Sequence, residues 1–535
     1  MNIKKIFTNT YQIVCLTMVM LFSLLPAYAI LGPKKYGSYF MMFEDIEITA
    51  LFLCFIIYLL YKLFTKCFSP KSNDNETLLE KITGLFINNK QLILFVIMFV
   101  FIVISASRFP DNKNVLEGKL GRPDGLKMYM CFFALFIFSF SLKSPYLKKF
   151  VIGTYIFSFI LVSLVMLLQY YGMIGSANEK FCPDWGWTQD LKNYFQKTGI
   201  RLGQFYRGET GSFFNLNHMG YYITLCSCLF TGLLFKEANT VKKVLLSFLC
   251  AYSYWILIIN NTFGAFLAVV GTISLFTILY IIKFSHDDKD KDKSRKFMVL
   301  SLLAFMGCFV LCFYWIYLAQ TYTKVLIGIL FTVCIIGFLI FCFLKFLKFR
   351  YYIIKFISVI LPVFIFVTVS ITVSKFPFDS DEPIIVRNIR VFKSDTEKIA
   401  NSSDGFERAG SGRADLWIAS FKLIKKEPVL GFGPDNVKSA YAAEKAKMDR
   451  AHCEPLEIAV SAGIPAALCY VFSILYVIYK NIRKKNLFSD ETGFNYIAVT
   501  MAVCGYFISG LVGVFLFYTA CHMFVMLGLA SGYDD

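Results

Sequence analysis

The chain is 535 residues long, 57% hydrophobic and only 17% charged, and apolar runs of about 20 residues recur along it. That profile excludes a soluble globular domain and describes an integral membrane protein; because the runs do not alternate, it also excludes a closed barrel of spanning strands. The net charge of +18 is no nucleic-acid signature, since Lys and Arg fall in short connections between apolar runs rather than on one helix face.

The first thirty residues, MNIKKIFTNTYQIVCLTMVMLFSLLPAYAI, have the basic start and the AYA ending of a secretory signal. Their apolar part approaches spanning length and further spans follow, so the reading is a retained first helix. Apolar segments then continue near 47–65, 92–107, 128–142, 149–173, 219–235, 243–260, 263–283, 297–319, 324–344, 351–373, 456–479, 494–510 and 511–530. The expected architecture is an all-α polytopic membrane bundle of about 12 to 14 transmembrane helices.

Basic residues mark alternate connections: Lys4/Lys5, Lys62/Lys66/Lys71, Lys143/Lys148/Lys149, Lys236/Lys242/Lys243, Lys289 to Lys296, Lys345/Lys348/Arg350 and Lys480/Arg483/Lys484/Lys485. Such loops belong in the cytoplasm. Both termini then lie inside, and two long loops, 174–216 and 375–455, lie outside the cytoplasm. The charge run DDKDKDKSRK at 287–296 reads as a solvated orienting loop. Neither solenoid periodicity nor the inverted halves of many transporters is visible.

Most of the sixteen cysteines sit inside apolar runs as small hydrophobes, and the absence of a CxxC pair argues against zinc. Cys182 and Cys453 lie in polar loops, where a bridge between them is conceivable.

In the longer outer loop, residues 410–437 read as a helix with defined ends: Ser411 can cap it, Asp415 suits the first turn, and Lys425/Lys426 suit the last turn before Pro428. Arg413 and Trp417 share a face of it. Leu416, Ile418, Phe421, Leu423 and Ile424 supply an apolar side for the bundle or the lipid surface. Gly431-Phe-Gly433 then allows a tight turn or a close backbone approach to a ligand.

Downstream, Asp449 to Pro465 reads DRAHCEPLEIAVSAGIP, where Pro455 suits the first turn of a new helix and His452 precedes it. The helix dipole and Arg450 favour a neutral imidazole there, able to accept a proton, while Glu454 and Glu457 pull the other way. The other outer loop contributes RLGQFYRGETGSFFNLNHMG at 201–220; Arg201 and Arg207 could grip a diphosphate bidentately, and Asn215 and Asn217 either join them or cap the following helix. Plain structural roles stand beside these. Trp417 reads first as an interfacial anchor and second as a sugar platform, Arg413 as a partner of Asp415 or a headgroup anchor, and Glu454 and Glu457 as orienting His452 or satisfying the helix start. His218, His286 and His522 are isolated and make no metal site.

Gly412-Arg413 with Trp417, Pro428 with Gly431 and Gly433, Ala451-His452 followed by Glu454, and the later Gly-Ile-Pro resemble the conserved domain of the O-antigen ligase and polymerase family. GSFFNLNHMGYY is similar to that family's earlier Gly-x-Phe-x-Asn-x-Asn-x-x-Gly element. The resemblance covers roughly residues 200 to 475 and divides the chain into N-terminal helices with the first outer loop (1–200), the ligase-like region including the outer loop 375–455 (201–480) and C-terminal helices (481–535).

It implies a GT-C-like bundle that moves a glycan from an undecaprenyl-diphosphate carrier to a glycan or surface acceptor on the outer face of the cytoplasmic membrane, without metal or other cofactor. His452 would be the base and Arg413 a catalytic cation, with Arg201, Arg207, Asn215, Asn217, Arg450, Glu454 and Trp417 contacting substrate. Two departures leave the arginine inventory and acceptor contacts open: Cys453 stands where Asn is frequent, and NNTFGAFLA at 260–268 lacks an arginine. A flippase for lipid-linked oligosaccharide, or another polysaccharide transporter, is the alternative; it expects charged groups lining a cavity at mid-membrane depth.

Overall fold

The computed structural model describes residues 3–28, 90–118, 124–170, 211–213, 215–237, 240–260, 262–284, 413–446, 449–484, 493–513 and 517–532. The expected spans at 47–65, 297–319, 324–344 and 351–373, the charge run at 287–296, and Cys182, Arg201, Arg207 and Ser411 lie outside them.

Every regular element among these residues is a helix: α1 (Ile3–Tyr28), α2 (Lys90–Ser107), α3 (Lys113–Glu117), α4 (Leu126–Phe140), α5 (Pro145–Tyr170), α6 (Leu216–Lys236), α7 (Thr240–Asn260), α8 (Phe263–Phe284), α9 (Arg413–Lys426), α10 (Lys438–Ala443), α11 (Glu454–Ala462), α12 (Ile464–Arg483), α13 (Tyr496–Gly510) and α14 (Phe517–Ser531). Four of them, α2, α5, α6 and α12, are long and apolar enough to cross a membrane, and α1, α4, α7, α8, α13 and α14 contain shorter apolar stretches. The chain is an all-α polytopic membrane protein.

The expected segment 456–479 proves to be two helices. Gly463 adopts φ +90° and ends α11, and Pro465 opens α12, so the apolar run turns a corner instead of continuing as one rod. Proline, lacking an N–H, is tolerated in a first helical turn and disrupts an interior one.

One apolar core runs from Cys15 in α1 to Ala530 in α14. The most extensive pairings are α6 with α13, α4 with α14, and α2 with α12. Small residues permit the closest: a Cβ on Gly232 would overlap Ala498, and one on Gly505 would stand 2.5 Å from the Cys228 sulfur. Helices that face outward leave Phe150, Phe157, Leu164, Phe472 and Tyr479 exposed, as a lipid-facing surface requires.

The helix ends segregate by chemistry. At one end the Lys148 ammonium donates to Tyr496 Oη at 2.8 Å and to the Gly532 carbonyl at 3.0 Å, and Lys236 donates to the Phe494 carbonyl at 3.2 Å. Lys480 and Arg483, in the last turn of α12, belong to the same end. At the other end lie the C-terminus of α2, the N-termini of α4 and α6, the α7–α8 corner, and the short helices α9, α10 and α11. Every described residue singled out in the sequence as a candidate for chemistry lies there.

Candidate active site

Helix α9 forms as its end residues dictate, with Asp415 in the first turn and Lys425/Lys426 in the last. Ala414, Leu416, Ala419, Ser420, Leu423 and Ile424 face inward, whereas Phe421 is 57% exposed. The buried face is narrower than the apolar side as a whole, and Phe421 lies on the part of that side that does not pack on the bundle. Ser420 and Tyr441 share a hydrogen bond of 2.8 Å that docks α10 on α9, and the Lys426–Glu444 pair (2.5 Å) closes the same join, holding the Glu444 carboxyl below its ordinary range.

After α9 the chain makes the turn Pro428–Gly433, and here the glycines serve backbone-to-backbone contact. Phe432 N–H donates to the Val460 carbonyl at 2.9 Å, Gly433 N–H to the Ser461 carbonyl at 2.9 Å, and Ile464 N–H to the Pro428 carbonyl at 2.8 Å. A Cβ on Gly431 would stand 2.5 Å from the Ser461 carbonyl carbon, and one on Gly463 would overlap the Val429 carbonyl. The Gly-x-Gly and Gly-Ile-Pro motifs are two halves of one latch between the turn and the end of α11. Helix α2 fastens it from beneath: Ser105 Oγ donates to the Ser461 carbonyl (3.0 Å), and Arg108 donates to the Gly431 carbonyl (2.9 Å) and pairs with Glu427 (3.3 Å). Asn112 Nδ2 donates to Asn436 Oδ1 at 3.0 Å.

The segment before α11 holds His452, half-buried, at φ +50°, in the left-handed region where a side-chain-bearing residue is uncommon. Conformations of this kind cost of order 1–3 kcal/mol and persist where neighbours over-determine them. Two backbone bonds bracket the histidine: Ala451 N–H donates to Glu457 Oε2 at 2.8 Å, and Glu457 N–H donates to the Cys453 carbonyl at 2.9 Å. Glu457 is thus the anchor of the loop. Burial pushes its carboxyl up, against the pull of Arg450 and the Ala451 N–H.

Arg450 is only 4% exposed and pairs with two carboxylates from separate segments, Asp124 ahead of α4 and Asp435 after the turn (3.0 Å). Burial opposes its charge, but Asp124, Glu457 and Asp435 outweigh that and hold it protonated. Burial pushes Asp124 up to about 7, Arg450 pulls it down, and Asp435 and Glu457 add to the rise.

Glu454, the first residue of α11, is fully buried: Tyr470 donates to its Oε2 at 2.8 Å and Tyr506 to its Oε1 at 3.0 Å. Its carboxyl is raised to about 8, because desolvation outweighs both phenol hydrogen bonds. It fits because α13 ends in glycine; a Cβ on Gly510 would approach Glu454 Oε2 to 2.6 Å.

Arg413, Cys453 and Glu454 all lie within electrostatic reach of the Tyr221 hydroxyl of α6, a buried group with no hydrogen-bond partner in the structure. Helix α9 packs on α11, and Tyr221 lies against the Tyr506 ring, whose hydroxyl donates to Glu454. Trp417, one turn beyond Arg413, is half-buried, and its Nε1 has no hydrogen-bond partner. Asn215 caps α6, accepting from the Asn217 N–H at 2.8 Å, and both asparagines are exposed. At the same helix start, Asn260 Nδ2 and Thr262 Oγ1 donate to the Leu216 carbonyl at 3.0 and 3.3 Å, which gives the arginine-free 260–268 stretch a role in fixing α6. Arg201 and Arg207 precede the described start of this segment. Sequence reasoning missed Asp124, Asp435, Tyr221, Tyr470 and Tyr506; the one available signal was an acid, Asp124, placed directly against an apolar run.

Residues 307–471 match the family model described as O-antigen ligase. This stretch of the chain is similar to the O-antigen ligase domain. The match supports assignment to the O-antigen ligase and polymerase family, and with it a glycosyl-transferring role in polysaccharide synthesis at a membrane. Its described part holds α9, the glycine latch, the His452 loop, α11 and the first turns of α12. No curated protein matches the chain.

Proposed function

We propose that the protein is a membrane glycosyltransferase that ligates or polymerises undecaprenyl-diphosphate-linked glycans on the outer face of the cytoplasmic membrane. The observation that carries this reading is the packing of α9, which Arg413 opens, against α11, which follows the His452 loop, at the end of the bundle opposite the lysines. In the reaction, an acceptor hydroxyl oxygen bonds to the anomeric carbon as that carbon's bond to the diphosphate oxygen breaks. The bonding electrons leave with undecaprenyl diphosphate, and the acceptor's proton passes to the His452 imidazole. Arg413 offsets the charge developing on the leaving group. Arg201, Arg207, Asn215, Asn217 and Trp417 remain candidate substrate contacts. Arg450 and Glu454 act from behind, since their side chains are engaged within the protein.

The test is transfer by the purified full chain in nanodiscs, supplied with undecaprenyl-diphosphate oligosaccharide and followed by mass spectrometry. Wild type lengthens the lipid-linked glycan or passes it to an added acceptor, and His452→Ala loses about 10²- to 10⁴-fold in rate while staying folded. Full activity in that variant removes the histidine from the chemistry. Movement of the lipid-linked oligosaccharide across the bilayer without any new glycosidic bond would replace the enzyme by the transporter.

A further inference from the structure

We propose that Asp124, far outside the matched domain, is a positioning residue for the candidate transfer site: through Arg450 it fixes the loop that presents His452. The inference rests on the reading of His452 given above. Arg450 lies two residues before the histidine, and its side chain is 5% exposed. Its two terminal nitrogens are divided between Asp124 on the N-terminal side of α4 and Asp435 beyond the glycine latch, while Nε has no hydrogen-bond partner. A guanidinium is rigid and planar, so two carboxylates on different nitrogens set its orientation as well as its place.

Asp124 and Asp435 are themselves buried, with side chains 5% and 6% exposed. Buried ion pairs are poor sources of net stability compared with apolar packing, and their best-attested use is to specify one arrangement among several. The arrangement specified here is local and strained, a histidine at φ +50°. Glu457 accepts from the Ala451 N–H ahead of the histidine and donates its own N–H to the Cys453 carbonyl behind it, so the loop is pinned before and after the residue that has to be aimed. Asp124 thereby gives the N-terminal helices a direct hold on the matched domain, alongside Ser105, Arg108 and Asn112, which clasp the latch and the turn after it.

The experiment uses the full chain in nanodiscs with Asp124→Ala, Asp124→Asn and Asp124→Glu. Two readings are taken: kcat and KM for undecaprenyl-diphosphate oligosaccharide, and the rate at which N-ethylmaleimide alkylates Cys453, resolved by peptide mass spectrometry. Cys453 is a partly exposed free thiol beside His452 and reports on the loop whatever the protein's activity. Asp124→Ala is expected to lower kcat by up to about 100-fold, the scale set by misplacing a reacting group by about 1 Å, with KM nearly unchanged. Alkylation of Cys453 accelerates in parallel, Asp124→Glu recovers much of both readings, and Asp124→Asn, which keeps the shape and loses the charge, falls between.

Unchanged Cys453 reactivity in Asp124→Ala and Asp124→Asn overturns the proposal, as does a fall in kcat/KM carried by KM alone. Loss of folded protein in both variants also overturns it, assigning the pair to stability. Should the wild type show no glycosyl transfer, the enzyme reading fails by that result, while the alkylation rates still decide whether Asp124 anchors the loop.

Discussion

Glu454 is an acid that the fold favours in its protonated form. Its neighbours Tyr470 and Tyr506 donate to it, but complete burial decides the balance and lifts the carboxyl to about 8 from an ordinary 4.5. The unfolded chain releases this proton first. Between the two values the unfolded state binds fewer protons, so this residue makes the protein less stable as pH rises, by roughly 1.4 kcal/mol per pH unit. Glu454→Gln removes the titration and keeps a polar group between the two phenols. The variant should melt close to wild type near pH 5 and above it near pH 8, as followed by tryptophan fluorescence in detergent. A difference that does not change with pH would show that the carboxyl is ionised throughout. Beside it, Gly510→Ala should displace the carboxylate, since the added methyl has 2.6 Å to Oε2, and should lower the melting temperature at both pH values.

At the scale of elements, the unit that holds the site is the latch between the Pro428–Gly433 turn and the α11–α12 corner. It consists of main-chain hydrogen bonds at 2.8 to 2.9 Å and of Gly431 and Gly463, where any Cβ collides with backbone. Gly463→Ala meets both obstacles at once, a φ of +90° and the Val429 carbonyl, and a backbone cannot yield as a flexible side chain can. The expected cost is about 3 kcal/mol or more, read as loss of the monodisperse peak in fluorescence-detected gel filtration. A normal peak and melting temperature would show that the corner relaxes. The C-terminal limit of α9 was legible in the sequence because end charges and the following proline are local signals, and so were the limits of most described spans. The corner was not: an apolar run is scored by composition, and Gly463-Ile464-Pro465 interrupts it without changing its hydropathy. The glycine pattern after Pro428 was visible, but its partner, the far end of α11, could be found only in three dimensions.

For the whole molecule, the sequence already separates two kinds of helix end, one rich in lysine and one carrying the family's motifs, because charge and hydropathy are read residue by residue. What stayed hidden is the wiring inside the motif end. Arg108 and Gly431 stand 323 residues apart, and Asp124 meets Arg450 across a comparable distance; no local pattern announces such pairs. The separation of ends does carry a prediction about orientation. Lys148, Lys149, Lys236, Lys480 and Arg483 collect at one end, and cytoplasmic connections hold the excess of Lys and Arg, so that end should face the cytoplasm and α9, α11 and His452 the outside. Lys149 and Lys422 are exposed, each at one end, which suits them for single-cysteine labelling with the native thiols resolved by peptide mapping. In intact spheroplasts a membrane-impermeant maleimide should modify Lys422→Cys at once and Lys149→Cys only after permeabilisation. The reverse order would put the His452 loop in the cytoplasm, where a donor presented on the outer leaflet never reaches it, and the proposed transfer would have no substrate.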